Sequence, residues 1–137
     1  MSLNVELLEQ SFAAVAPQGG KLVDVFYRQL FADFPQVQPL FQNVKLSDQK
    51  KKLLAALKLV VENLRRPAVL VPALEQLGSQ HVDYGATEEH YPAVGQTLLK
   101  SLAEVAGPVW TKELERAWAE AFGEISKHML AGAALPV

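Results

Sequence analysis

Apolar residues recur along this chain at intervals of three and four, the spacing of amphipathic helices, and no segment alternates as a strand would. The first helix carries Leu7, Leu8, Phe12 and Val15, with Asn4 or Ser2 placed to cap it and Pro17 with Gly19-Gly20 to end it. A second is expected from Lys21 to Asp33, with Leu22, Phe26, Tyr27 and Leu30 inward. Phe34-Pro35 breaks it, because a residue before proline leaves the helical region. A short turn of helix, Gln36 to Phe41, and a polar connector, Gln42 to Lys45, lead to a cap at Ser47. The long helix that follows has the face Gln49, Leu53, Leu57, Val60, Leu64 and stops at Pro67. Pro72 then fits the first turn of a helix whose face is Leu74, Leu77 and His81, ended by Gly85. Thr87 is placed to cap the next helix, with Glu88 and Glu89 in its first turn and Tyr91, Val94, Leu98 and Leu102 inward. The last helix, Thr111 to Leu130, aligns Trp118, Phe122, Ile125 and Met129, and 131–137 is expected to fray. These elements predict an all-α single domain over 1–137.

Composition narrows the chemistry. Half of the 137 residues are hydrophobic and a fifth are charged, an ordinary soluble balance. A net charge of -2 gives no long-range pull toward nucleic acid or an anionic membrane. The absence of cysteine excludes disulfides, thiol catalysis and thiolate metal sites. Met1 to Gln10 does not read as a signal peptide, and no run is long enough for a membrane span. A cytoplasmic protein without membrane insertion is expected.

Candidate chemistry rests on three residues from three different helices. His81 ends one apolar face, Gln49 begins another, and Tyr27 lies within a third beside Phe26, Leu30 and Phe31. One imidazole, two hydrogen-bonding side chains and an apolar surround are what a haem pocket for a diatomic gas requires. Each has an ordinary alternative. His81 alone reads as a satisfied core histidine, Tyr27 as a core tyrosine with its hydroxyl at the surface, and Gln49 as a solvated first-turn residue. His90, beside two glutamates, and His128, near the chain end, read as surface residues. Lys50, Lys51 and Lys52 read as a solvated helix face. Gly123, inside the last helix, would be explained by close approach of another helix.

Several blocks together resemble the globin family, above all single-domain bacterial haemoglobins and the globin domain of flavohaemoglobins. They are Phe26-Tyr27-Arg28-Gln29-Leu30-Phe31, Pro35, Leu40-Phe41, Asp48-Gln49, His81, His90-Tyr91-Pro92-Ala93-Val94-Gly95-Gln96, Ala117-Trp118 and Phe122-Gly123. The resemblance implies a globin fold holding haem b, with His81 as the proximal iron ligand and Tyr27 and Gln49 as the distal pair. It places Phe41 flat on the porphyrin, Leu53 and Leu57 above it, and Val94 and Leu98 beside it. Leu77 completes the cofactor-binding set on the His81 helix. Tyr91 matches a proximal tyrosine that, in flavohaemoglobins, joins a glutamate of the last helix. Here the matching stretch, Ala131 to Ala134, has no carboxylate, which puts a peroxidase-like push in doubt.

What the resemblance implies about function is reversible binding of O2, CO and NO at a five- or six-coordinate iron, for oxygen binding and transport or nitric oxide detoxification. The alternative is an enzyme, a nitric oxide dioxygenase served by a separate flavin reductase, since no glycine-rich dinucleotide fingerprint occurs here. A haem-based sensor and a non-haem globin interaction module stand behind these. Haem would be held without covalent attachment, because no Cys-x-x-Cys-His occurs.

Overall fold

A computed structural model describes residues 3–83 and 87–133. It contains six α-helices: α1 (Val5–Val15), α2 (Gly19–Asp33), α3 (Leu46–Glu62), α4 (Pro67–Asp83), α5 (His90–Ala106) and α6 (Lys112–Ala133). Short 3-10 turns occupy Ala16–Gln18, Pro35–Phe41 and Gly107–Val109, and no strand occurs among the described residues.

Helix α1 starts where the Asn4 side chain accepts the Leu7 N–H at 3.2 Å. Helix α2 is buried on most of its surface, with Leu22, Val25, Phe26, Tyr27 and Leu30 in the core. It packs chiefly on α5 and α3. On α5 the hydroxyls of Thr97 and Ser101 donate back to the carbonyls of Ala93 and Thr97, each at 2.7 Å. These buried polar groups are thereby satisfied within their own helix and leave a smooth surface for α2. Helix α6 buries Leu114, Ala117, Trp118, Ala121 and Phe122. The indole N–H of Trp118 donates to Ser11 of α1 at 2.9 Å.

Helices α4 and α6 meet backbone to backbone. A Cβ built on Gly78 would collide with the Met129 carbonyl group, and one built on Gly132 with the backbone of Glu75. The two glycines therefore set how closely α6 grips the helix that carries His81. The 3-10 turn at Pro35–Phe41 and the first turn of α3 contribute Phe41 and Gln49 to a cavity that His81 also lines.

Several expected boundaries move. Helix α2 begins at Gly19, because Gly19 packs against Leu54 where a Cβ would stand 2.9 Å from it. Helix α3 begins at Leu46, so Ser47 lies inside its first turn and supplies no cap. Pro67 starts α4 instead of only closing α3, since a first helical residue needs no N–H partner. Pro72 consequently sits inside α4. Helix α5 starts at His90, leaving Glu88 and Glu89 in the preceding turn, and no side chain of Thr87 caps it. Thr111 does cap α6, accepting the Leu114 N–H at 3.1 Å. Gly123 faces open space, so close helix approach does not account for it. Helix α6 runs on through Ala133, with Gly132 buried, where fraying was expected from 131. Ser2, Gly85 and 134–137 lie outside the described residues.

Candidate functional site

His81 is four residues from Leu77 on the same helix face, which brings its ring back onto that residue's carbonyl. Nδ1 lies 2.6 Å from the Leu77 oxygen. A carbonyl only accepts, so Nδ1 carries the proton and the lone pair of the neutral ring is on Nε2. This is the tautomer of an imidazole oriented to donate to a metal through Nε2. Among the described residues no three of His, Cys, Asp or Glu gather into a metal site. A metal bound at His81 would therefore take its remaining ligands from outside such a cluster.

Three cavities share His81 and Leu53. The first, of about 170 Å³, is lined on α3 by Leu53 and Leu57, on α4 by Leu77 and His81, and on α5 by Tyr91, Val94 and Leu98. Phe122, Ile125 and Met129 of α6 close its floor. The second, of about 160 Å³, adds Tyr27, Phe41 and Gln49 to Leu53, His81 and Val94. The third, of about 680 Å³, opens between α3 and α4 past Lys52 and Gln80, and is also lined by Tyr27, Gln49, Leu77 and His81. All ten residues expected at the site thus line one or more of these three cavities. The walls of the first two are mostly apolar with a few placed polar groups, the usual make-up of a cofactor site, whereas polar side chains supply half of the lining of the third.

Tyr27 is held by aromatic neighbours. Its ring meets Phe26 edge-on at 4.9 Å and Phe41 edge-on at 5.7 Å, and Phe31 lies 6.0 Å away. The residue is 6% exposed. Burial pushes its hydroxyl pKa up to about 12, so it stays a protonated donor. That hydroxyl reaches the Gln49 backbone carbonyl at 3.5 Å. Such a long O–H···O contact is weak and readily exchanged for a better acceptor in the cavity. Beside it, Lys50 pairs with Asp24 at 2.9 Å and ties α3 to α2.

Tyr91 is half-buried, and burial raises its pKa. Glu124, the nearest carboxylate in sequence to the expected α6 partner position, lies instead 3.8 Å from His128. His128 is half-buried rather than fully at the surface. His90 was expected at the surface; it is half-buried and lines both the first and second cavities. The neighbouring glutamates misled that reading, because α5 begins only at His90. Ala56, Val60, Ile125 and Met129 also line the first cavity. Val60, Ile125 and Met129, on their apolar faces, carried a sequence signal, and it pointed to core and not to the site; Ala56 carried none.

A family model described as Globin matches residues 24–129. The flavohemoprotein of Xylella fastidiosa (strain Temecula1) is 34% identical over 120 residues, covering 86% of this chain and 30% of the relative. The chain thus spans about a third of the length of the curated relatives it matches. Among solved structures, a bacterial globin from Campylobacter jejuni superposes with a TM-score of 0.82 at 27% identity, over 94% of this chain and 93% of the other. An engineered carbene transferase from Rhodothermus marinus, a candidate nitric oxide dioxygenase, gives a TM-score of 0.85 at 27% identity, over 95% and 90%.

Proposed function

The chain belongs to the globin family, and from that premise we propose that it is a haem b protein binding O2, CO and NO at His81-ligated iron. One observation carries the reading. The His81 ring, in the tautomer that puts its lone pair on Nε2, lines the same cavities as Tyr27 and Gln49. Bound haem supplies an iron centre with a position open to a diatomic gas.

The residues of the chain do the rest. The Leu77 carbonyl holds the His81 ring in orientation and makes Nε2 a better donor. Leu53, Leu57, Val94 and Leu98 would pack around bound haem and exclude water, and Phe41, which lines the second cavity, would pack against it. Tyr27 and Gln49 present hydrogen-bond donors to a partially negative ligand, which favours O2 over the less polar CO. The absorption spectrum of purified protein, ferric, ferrous and under CO, tests the proposal. A haem b spectrum that shifts under CO is expected. Protein that stays colourless after haem addition would remove the gas-binding reading.

The flavohemoprotein relatives favour a second reading, a nitric oxide dioxygenase. Converting NO and O2 to nitrate consumes one electron per turnover. No dinucleotide fingerprint occurs in these 137 residues, so we assign the electron to a flavin reductase outside them. Steady NO consumption requiring that reductase would establish the enzyme, whereas reversible gas binding alone would leave a carrier.

A further inference from the structure

His90 and His81 line the same two cavities but in opposite chemical states. The His81 Nδ1 faces a carbonyl and must carry the proton. His90 Nδ1 accepts the Thr87 backbone N–H at 3.0 Å, so the proton of the neutral ring is on Nε2. The Thr87 carbonyl in turn accepts the His90 backbone N–H at 3.0 Å. This reciprocal clasp, closed across three residues at the start of α5, fixes the ring in place. Nε2–H is then the remaining hydrogen-bonding group on a ring that borders the cavity. A ring in this state has no lone pair to offer a metal without losing its clasp. Its Nε2 is left as a donor.

The acceptors available are few. The walls of the first cavity are nearly all apolar, and a donor beside them needs a partner once water is displaced. Haem brings two carboxylates on an otherwise apolar disc. We propose that His90 holds one of these propionates through Nε2–H, and that the Thr87 clasp makes it a fixed donor and not a second iron ligand. The proposal rests on the haem reading above.

Haem dissociation, followed by transfer to excess apomyoglobin, tests it with two variants that separate the two ring nitrogens. His90→Asn keeps an acceptor near the Nδ1 position and loses the distant donor. His90→Gln keeps a donor near the Nε2 position. Haem loss should be roughly ten- to a hundredfold faster in His90→Asn, the range for a charge-assisted hydrogen bond, and much closer to the parent in His90→Gln. With haem dimethyl ester, which lacks the anionic acceptors, parent and His90→Asn should lose the cofactor within a factor of two of each other. Ferrous and CO spectra should be unchanged in both variants. If the difference persists with the ester, His90 acts by packing and the proposal is overturned. An altered axial-ligand spectrum would overturn it in favour of iron ligation. A parent chain that takes up no haem would overturn the functional reading as well, which separates the two failures.

Discussion

Tyr27→Phe removes one hydroxyl and keeps a ring wedged between Phe26 and Phe41. Losing a donor in a dry pocket costs on the order of 1–3 kcal/mol, so O2 release should quicken by roughly ten- to a hundredfold. CO release should change far less, because bound CO is a poor acceptor. Gln49→Leu should act in the same direction but more weakly, since Gln49 is only half-buried. Stopped-flow dissociation of both gases checks this, and an equal shift for both would mean a loosened pocket instead of a lost bond. The same hydroxyl leaves an alkaline signature. Its pKa is raised to about 12 in the folded chain, against about 10 unfolded. The stabilisation is fully present below pH 10 and is lost as pH rises through 12, because the unfolded chain then binds fewer protons. Denaturant titrations between pH 8 and pH 12 should show a steeper decline for the parent than for Tyr27→Phe. Parallel curves would show that burial does not hold the proton.

At the scale of elements, α4 is the helix on which the site depends, and its place is set by glycines. Gly78→Ala and Gly132→Ala each force α4 and α6 apart, since the added methyl group collides with backbone that has no rotamer to yield. Each should destabilise by about 2–4 kcal/mol, the range of severe overpacking. Gly123→Ala meets nothing within 4 Å and should be neutral or stabilising by up to about 1 kcal/mol, from helix propensity alone. Thermal denaturation of the three variants checks the contrast, and a mild effect at Gly78 would mean that the helices do not meet through backbone. Sequence patterning made the helices and their inward faces legible, because one buried stripe repeats every three to four residues. It could not show which glycine is crowded: Gly123 and Gly132 both sit in one helix, and only the path of α4 tells them apart. Prolines were ambiguous for a related reason. Pro67 suits the end of one helix and the first turn of the next, and the packing of α4 on α6 decides for the latter. Tyr27, Gln49 and His81 were legible only as a set, through the resemblance. His90 was not, because its burial comes from the cavity and not from its sequence neighbours.

For the whole molecule, holding the gas and restoring the iron are separate tasks. Protein loaded with haem and O2 should convert NO to nitrate rapidly in a single turnover. It should not sustain consumption with NADH alone, and a flavin reductase should restore turnover. Steady consumption by the isolated chain with NADH, read at an NO electrode, would contradict this. No helix among the described residues is long and apolar enough to cross a membrane. The central claim is that one imidazole, on α4, holds the iron. Resonance Raman spectra of the ferrous, gas-free protein in the iron–histidine region test it most directly, on the parent and on His81→Gly with and without added imidazole. One haem per chain, an iron–histidine band in the parent, its loss in His81→Gly and its return with free imidazole are expected. An unchanged band in His81→Gly, or a parent that binds no haem, would contradict it.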